Sequence, residues 1–386
     1  MAERILTTHV GSLPRSQAVT ELLFARERGD AVDAAGFDRL MAEAVAGVVA
    51  RQVEAGIDWV SDGEQSKISY STYIKDRITG FEGDSPRRVP ADLEAFPSFM
   101  KRLAAAGGTP SYRRPRCTGP IAPKTLAPLH ADLAHLRTAV EASKPAGAFM
   151  NAASPGVIAL FHPNEYYATH EAYLGALAEA MRPEYEAIVA AGFMLQLDCP
   201  DLGLGRHMMF KDRSEAEYVR LAHQHVEALN HALRHIAPQR LRMHICWGNY
   251  EGPHHCDAPM EVVLPIALCA RPQQLLFESA NPRHAHEWTV FRDHGVPQDK
   301  VLVPGVLDSV SNFIEHPLLV AERIERFAAI VGADRVIAGT DCGFSTFAGF
   351  GNVDAEIVYA KLRALSDGAA IASRRLSTRA SAPPTS

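Results

Sequence analysis

The chain has 386 residues, 47% of them hydrophobic and 22% charged, with a net charge of −6. This composition supplies a full hydrophobic core, in one large α/β domain or two ordinary ones. The basic residues are scattered and interleaved with acids, which excludes an extended nucleic-acid groove. No apolar run reaches transmembrane length and the N-terminus does not look like a signal peptide, so we expect a cytoplasmic protein with reduced thiols.

Strand-like segments alternate with helical segments along almost the whole chain. Several strand candidates are near-continuous apolar runs, as expected of strands that are buried on both faces. In chain order, the eight predicted strands are Leu6–Ser12, Trp59–Glu64, Ala148–Pro155, Phe193–Pro200, Arg242–Gly248, Leu275–Ser279, Val301–Asp308 and Val336–Gly343.

Amphipathic stretches of helical length lie between these strands. The clearest are Phe37–Ala55, Glu171–Ala191, Glu215–Ile236 and Pro317–Val331, and the last has proline in its first turn. Eight βα units in one chain predict a (β/α)8 TIM barrel. A doubly wound open sheet is the alternative. The barrel is favoured because candidate site residues follow nearly every strand, and only a barrel brings all strand ends to one mouth.

Two segments fall outside the alternation. Residues 80–146 are rich in Pro, Gly and Arg, and we interpret them as an insertion after the second strand, lying over the barrel mouth. Residues 371–386 consist mainly of Ser, Thr, Arg, Ala and Pro without apolar periodicity, which is typical of a disordered tail. The predicted organisation is therefore a single barrel over residues 1–370, followed by this tail.

Four metal-ligand types stand where predicted strands end: His244, Cys246, Glu278 and Cys342. Two thiolates, an imidazole and a carboxylate make a tetrahedral zinc set. Its negative charge makes the ion a weak Lewis acid toward water but suits binding and deprotonating an incoming thiol. The four residues therefore predict a zinc site that prepares a thiolate.

A second group, His254, His255 and Cys256, lies in the loop Gly248–Asp257. These residues are alternative metal ligands. Glycine and proline around them are equally typical of a solvated loop.

Further polar residues end other predicted strands. Glu64 and Asp198 would hold a substrate amine or a proton near the metal, or would serve only as charges at helix N-termini. Gly11 and Ser12 offer backbone N–H groups and a hydroxyl suited to a carboxylate. These residues are therefore candidates for substrate binding beside the metal.

The motifs at these positions resemble the catalytic half of the cobalamin-independent methionine synthases. The resemblance runs from Thr7 to about Leu365 and corresponds to the short, single-barrel members of that family. It rests on Thr-Thr-His-Val-Gly-Ser-Leu-Pro-Arg at 7–15, Asp-Gly-Glu at 62–64, Gln-Leu-Asp at 196–198, His-x-Cys at 244–246, Glu278, Pro-Gly-Val-x-Asp at 304–308 and Asp-Cys-Gly at 341–343.

The resemblance implies a (β/α)8 barrel with zinc bound by the four ligands at its mouth. It further implies methyl transfer from methyltetrahydropteroyl-oligoglutamate to homocysteine. The residues that would contact homocysteine are Gly11, Ser12, Glu64 and Asp198.

Two departures from the family pattern concern the methyl donor. Val310 stands where the family has a histidine that protonates the departing folate, so we expect weak turnover with methylated folates. The stacking tryptophan of the family falls near Phe161, which can still stack on a donor. His9, His162 and His316 are alternative proton sources.

Two other functions remain open. One is another zinc–thiolate alkyl transfer, as in the epoxide-opening coenzyme M transferases, which need no folate. The other is a non-catalytic zinc-binding regulatory protein. The sequence also leaves the oligomeric state open, a homo-oligomer included.

Overall fold

The computed structural model describes residues 4–105 and 112–381. Its central feature is a sheet of eight parallel strands, and two further short strands form a separate antiparallel pair. The ten strands are β1 (Leu6–Thr7), β2 (Trp59–Val60), β3 (Phe81–Glu82), β4 (Arg116–Cys117), β5 (Gly147–Ala153), β6 (Met194–Asp198), β7 (Leu241–His244), β8 (Gln274–Phe277), β9 (Val301–Leu307) and β10 (Ile337–Thr340).

The eight parallel strands follow the order β1-β10-β9-β8-β7-β6-β5-β2. Hydrogen bonds also join the two ends of this order. The amide of Asp58 donates to the carbonyl of Thr7 at 3.2 Å, and Thr8 Oγ1 donates to the carbonyl of Trp59 at 3.2 Å. The sheet is thus a nearly closed TIM-like barrel rather than an open doubly wound sheet, and each of the eight predicted strands is present.

Helices connect and flank the strands. They are α1 (Gln17–Arg28), α2 (Ala34–Glu54), α3 (Ala91–Glu94), α4 (Pro97–Ala105), α5 (Ala127–Ser143), α6 (Pro155–Phe161), α7 (His170–Ala190), α8 (Gly205–Met208), α9 (Glu215–Ala232), α10 (Met260–Leu268), α11 (Trp288–His294), α12 (Pro317–Val331) and α13 (Ala355–Ser381). Among the described residues, no helix has the length and apolar character needed to span a membrane.

Local sequence signals explain where several of these helices begin. Ser214 and Glu217 form a capping box at the start of α9, in which each side chain accepts the other residue's backbone N–H. The hydroxyl of Thr169 caps α7, and Pro317 occupies the first turn of α12. All four helices that the sequence predicts are present within a few residues of their expected ends.

The structure corrects two boundaries. Helix α5 packs against α2 on the outside of the barrel, so it is one of the outer helices and the insertion expected at 80–146 ends before it. Helix α13 continues through Ser381, so the expected disordered tail is wrong for residues 371–381. Residues 106–111 of the expected insertion and 382–386 of the expected tail lie outside the described residues.

A polar layer inside the barrel fixes the turn after β1. Arg242 on β7 is fully buried and donates to Thr8 Oγ1 at 2.9 Å and to the carbonyl of His9 at 2.8 Å. The side-chain amides of Asn151 and Gln196 both donate to the carbonyl of Val10. These contacts hold the segment that leads into Gly11 and Ser12 against the ends of the central strands.

Candidate active site at the carboxyl ends of the barrel strands

Three of the four predicted metal ligands come together where β7 and β10 end. His244 is the last residue of β7, Cys246 follows two positions later, and Cys342 follows two positions after β10. One ligand atom of each residue lies within 4.8 Å of the others, and all three side chains are buried. We call these three residues the thiol cluster.

The spacing of the two sulfur atoms fits a shared ion. Cys246 Sγ and Cys342 Sγ are 3.7 Å apart, far beyond a disulfide bond. Two sulfur atoms each about 2.3 Å from one tetrahedral ion would lie roughly 3.8 Å apart. Soft thiolate and imidazole donors in this arrangement suit zinc.

The protein by itself does not favour thiolates here. The hydrogen bond with Cys342, burial and the nearby Glu278 carboxylate raise the pKa of Cys246 well above its usual value. The hydrogen bond with Cys246 lowers the pKa of Cys342, but burial and Glu278 raise it overall. A divalent cation reverses this balance, because it stabilises the charged form of both sulfurs.

Glu278, the fourth expected ligand, lies beside the thiol cluster rather than within it. Its Oε1 accepts the backbone N–H of Trp247 at 2.8 Å, and its Oε2 accepts the side-chain amide of Asn281 at 2.8 Å. The carboxylate is buried and adjoins the residue that follows Cys246. The structure therefore brings three of the four predicted ligands together and holds the fourth next to them.

Asp341 organises the loop that carries Glu278, a role that the sequence analysis missed although the residue belongs to the quoted Asp-Cys-Gly motif. Its carboxylate accepts the backbone N–H groups of Ser279 and Ala280 at 2.8 Å each, and also the side-chain amide of Asn281. Burial and the charge of Glu278 raise the pKa of Asp341 to about 7. A carboxylate that follows directly on a buried strand was the available signal.

The second predicted group of ligands is engaged elsewhere. His254 Nδ1 lies 3.0 Å from Asp257 Oδ2, and its Nε2 lies 2.9 Å from the carbonyl of Tyr250. His284 lies between the same Asp257 oxygen, at 3.0 Å, and Glu287 Oε2, at 2.7 Å. We call His254, Asp257, His284 and Glu287 the imidazole network.

The protonation of His254 and the positions of His255 and Cys256 show whether this second group can bind a metal. Carbonyl and carboxylate oxygens only accept hydrogen bonds, so His254 donates from both ring nitrogens and is an imidazolium. His255 is exposed with its ring 5.4 Å from that of Phe96, and Cys256 is half-buried. Among the described residues, His254, His255 and Cys256 belong to no group with metal-ligand spacing.

A cavity opens above the thiol cluster. Its wall includes the two cysteines and His244 together with Ser12, Glu64, Asp198 and Phe161, all of which the sequence analysis singled out. Residues from the segment between β2 and α5 also contribute to the wall, among them Ser85, Pro86, Arg87, Arg88, Pro90, Tyr112 and Arg114.

Glu64 is an unusual residue in this wall. Its φ of 55° is a backbone conformation that non-glycine residues rarely adopt outside functional sites. Its Oε2 is buried and accepts no hydrogen bond from the described residues. Burial raises the pKa of Glu64 to about 7, against the opposing charge of Lys67. A residue that lines the cavity thus carries a carboxylate oxygen without a hydrogen-bond partner.

Asp198 ends β6 and contacts both the cavity and the thiol cluster. Its carboxylate accepts hydrogen bonds from Asn151 at 3.1 Å and from Gln196 at 3.0 Å. His244 Nδ1 lies 3.5 Å from its Oδ1. Burial lowers the pKa of His244, but the hydrogen bond to Asp198 and the charge of Cys246 outweigh it and raise the pKa. Asp198 therefore orients the imidazole as well as facing the cavity.

Ser12 lines the cavity, whereas Gly11 lies behind it. Ser12 lines the cavity, and a side chain at Gly343 would come within 2.0 Å of its hydroxyl, so glycine is required there. Gly11 has a φ of 143°, and a Cβ on it would meet the Asn151 side chain at 2.4 Å. Gly11 shapes the turn behind Ser12 and is not among the residues that line the cavity.

Of the residues expected to act on the methyl donor, Phe161 lines the cavity and the candidate proton sources do not. Phe161 faces the cavity, with its ring 5.8 Å from that of Tyr70, a lining residue that the sequence analysis missed. Neither Val310 nor any of the alternative proton sources lines the cavity. His9 is buried against Gln52, at 2.7 Å, and His162 against the carbonyl of Pro115, also at 2.7 Å.

The fold and site together define a TIM-like barrel with a buried thiol–imidazole cluster and unsatisfied carboxylate at its mouth. No family model matches the chain. It is 25% identical over 371 residues to a methionine synthase of Saccharolobus islandicus, covering 96% of this chain and 95% of that protein. It is 24% identical over 374 residues to a methionine synthase of Thermococcus kodakarensis, covering 96% and 94% respectively.

A solved structure shows the same fold. The B12-independent methionine synthase from Shewanella sp. W3-18-1, in complex with selenomethionine, superposes with a TM-score of 0.71 at 19% identity, covering 97% of this chain and 99% of that one. The comparisons confirm the resemblance to short cobalamin-independent methionine synthases. They extend along nearly the whole chain, as the motifs in the sequence predicted.

Proposed function

We propose that this protein is a zinc-dependent methyltransferase that methylates the thiol of homocysteine to give methionine. The observation that carries the proposal is the meeting of two kinds of group in one cavity. The thiol cluster offers a soft metal site. Beside it, the buried Glu64 offers a carboxylate oxygen without a partner. An amino acid with a thiol side chain has the groups that match both. The near full-length similarity to methionine synthases supports the same reaction.

The residues of the thiol cluster and their neighbours would form the metal site. His244, Cys246 and Cys342 would hold the ion, with Glu278 adjacent as the fourth donor. Zinc bound there would lower the pKa of the substrate thiol. Asp198 orients His244, and the backbone N–H of Gly248 donates to Cys246 Sγ at 3.2 Å. These contacts fix the donor atoms before substrate arrives, which is what metal sites require of their surroundings.

The acceptor is positioned by the strand ends around the cluster. Glu64 and Asp198 would receive the ammonium group, and the Ser12 hydroxyl would donate to the carboxylate. Holding the thiol in line with the donor's methyl carbon supplies proximity, which accounts for much of the acceleration in such transfers.

A thiol-alkylation assay of zinc-loaded protein tests the proposal. Homocysteine and coenzyme M are each paired with methyltetrahydropteroyl-triglutamate and with a short epoxide, and the products are identified by mass spectrometry. Methionine formed only from homocysteine supports the proposal. Alkylated coenzyme M in its place would assign the site to the alternative transferase class, and no product from any pair would favour a non-catalytic zinc protein.

A further inference from the structure

Arg15, in the same loop as Ser12, joins the loops that follow three barrel strands. Its Nη1 donates to the carbonyl of Ser345 at 2.8 Å and to the hydroxyl of the same residue at 3.1 Å. Its Nη2 donates to the carbonyl of Glu64 at 2.6 Å and to that of Lys67 at 3.0 Å. The guanidinium therefore bridges the loops after β2 and β10 from the loop after β1.

One end of this bridge holds a residue with an uncommon backbone conformation. Glu64 has a φ of 55°, which a residue with a Cβ keeps only when its surroundings fix it. The carbonyl of Glu64 also accepts the amide of Lys67 at 3.2 Å, and the Glu64 amide donates to Asp62 Oδ1 at 3.0 Å. Of these three partners, Arg15 alone belongs to the loop of another strand. It therefore fixes the Glu64 turn relative to the rest of the barrel mouth.

The other end of the bridge holds the loop that carries Cys342. The Ser345 amide donates to the Ser12 hydroxyl at 3.4 Å, and the Phe344 amide donates to the Ser12 carbonyl at 2.9 Å. The Glu64 turn, the cavity-lining Ser12 and the loop of a thiol-cluster ligand are thus held together through one arginine, Arg15.

Arg15 itself does not reach the cavity. It is not among the residues that line the cavity wall, whereas Glu64 and Ser12 are. Removal from water lowers the pKa of Arg15 to about 10, and the charges of Glu64 and Asp62 oppose that shift. The side chain is therefore a cation at neutral pH that would act on a substrate only through the groups it holds.

We propose that Arg15 is a positioning residue for the acceptor. Its bridge holds the Glu64 main chain where the carboxylate meets the ammonium group of a homocysteine whose thiol is at the thiol cluster. The ammonium assignment rests on the proposed function. A guanidinium suits this role because its planar fork donates in several directions at once, whereas a lysine ammonium is a single point donor that cannot span both loops.

Equilibrium binding to the zinc-loaded protein tests the proposal with two thiols that differ only in the amino group, homocysteine and 4-mercaptobutyrate. We expect Arg15→Lys to bind homocysteine about tenfold more weakly than wild type does, as when one charged hydrogen bond is lost, and to bind 4-mercaptobutyrate with a change of less than about twofold. Zinc content should be equal in the two proteins. Equal weakening for both thiols would show a general structural role and overturn the proposal. Wild-type affinity for homocysteine in the variant would also overturn it, because lysine keeps the charge but not the bridge.

Arg335→Lys is the matched control. Arg335 also joins separate segments through carbonyls, donating to Val331 at 2.8 Å and to Pro297 at 2.9 Å, but it lies at the amino end of β10. This variant should bind both thiols as wild type does. A selective loss of homocysteine affinity in Arg335→Lys as well would show that the effect is not specific to the Arg15 bridge, and the proposal would fall.

A double-mutant cycle tests whether Arg15 acts through Glu64. In a Glu64→Gln background, Arg15→Lys should weaken homocysteine binding by less than about twofold more, because the carboxylate that it positions is already absent. Additive losses would show that the two residues act independently and would contradict the positioning role.

Hydrogen exchange in the ligand-free protein tests the bridge without a substrate. Arg15→Lys should speed exchange of the backbone amides in residues 62–69 and 343–348, and Arg335→Lys should leave both segments unchanged. Wild-type exchange in both segments of the Arg15 variant would overturn the bridge. Equal binding of the two thiols by wild type would overturn the ammonium assignment and the proposal with it. Failure to form methionine while wild type still prefers homocysteine would count against the proposed function alone.

Discussion

The protein treats two groups of potential metal ligands differently, the thiol cluster and the imidazole network. In the thiol cluster, the ligand atoms of His244, Cys246 and Cys342 face one another within 4.8 Å. In the imidazole network, Asp257 and Glu287 form hydrogen bonds with ring nitrogens of His254 and His284. The same residue types are thus free to hold an ion in one place and already satisfied in the other. What distinguishes a metal site is the set of partners around the ligands, not the ligand types alone.

The two groups are nevertheless linked. The ring of Trp247 packs against that of His284, with 4.5 Å between ring centres, and the backbone N–H of Trp247 donates to Glu278. Trp247 directly follows Cys246 in the chain. The imidazole network therefore holds the loop from which the thiol cluster receives Cys246 and its adjacent carboxylate.

The largest expected effect is on zinc. Cys342→Ser removes one of two sulfur donors from the thiol cluster, so metal analysis should find much less zinc than the one ion per chain that the cluster would hold, with methyl transfer abolished. Cys256→Ser, in the loop next to the imidazole network, should retain zinc. Loss of zinc from the Cys256 variant and retention in the Cys342 variant would exchange the roles of the two groups.

A smaller effect is expected at Glu64, whose carboxylate would bind the ammonium group of the acceptor. Glu64→Gln should keep zinc but raise the KM for homocysteine about tenfold, which corresponds to about 1.4 kcal/mol and to the loss of one charged hydrogen bond. Glu82→Gln, at an exposed position outside the cavity, is the control. An unchanged KM in the Glu64 variant would remove the ammonium assignment.

The pH dependence of the same interaction follows from the raised pKa of Glu64, about 7. Only the carboxylate form attracts an ammonium group, and the carboxyl gains a proton as pH falls through 7. The wild-type KM for homocysteine should therefore rise below pH 7, and this rise should be absent in Glu64→Gln. Parallel pH profiles for the two proteins would contradict this assignment.

The imidazole network is expected to affect stability rather than substrate binding. Burial lowers the pKa of His254, but Asp257 raises it more, to about 9, and similar contacts raise the pKa of His284 to about 10. Because the folded protein binds these protons more tightly than the unfolded chain, their stabilisation is complete below about pH 6.5 and is lost as pH rises through 9 to 10. The Tm of wild type should fall over that range.

His254→Asn isolates this contribution. At pH 7 we expect the variant to lose about 1.5–3 kcal/mol of unfolding free energy, and its Tm should change less than that of wild type between pH 7 and pH 10. His255→Asn, the exposed neighbour, serves as the control. Equal pH dependence in the His254 variant and wild type would show that the network does not carry the charge assigned to it.

The smallest effect is expected at Val310. The resemblance places the family's proton-donating histidine at Val310, so a Val310→His substitution would raise a folate-dependent rate if this residue reached the reacting groups. Since Val310 does not line the cavity, and its backbone N–H instead donates to Asp308 at 3.0 Å, we now expect a change of less than about twofold in that rate. A larger increase in single-turnover measurements would show that the loop after β9 reaches the reacting groups.

The sequence by itself determined the barrel and the positions of its candidate ligands. Apolar runs and amphipathic periods are local properties, so they located all eight barrel strands and four of the helices, α2, α7, α9 and α12. In a parallel barrel every strand ends at the same mouth. The residues that follow the strands, such as His244, Glu64 and Asp198, could therefore be assigned to one site before any distance was known.

Tertiary structure alone decided which of these groups are available for chemistry. Glu278 lies beside the thiol cluster because the Trp247 amide and Asn281 hold it there, and His254 is occupied by Asp257. Arg87 and Arg114 reach the cavity wall only because the segment after β2 folds over the barrel mouth. A buried polar group acts according to its hydrogen-bond and charge partners, and those partners come from parts of the chain that local sequence patterns do not connect.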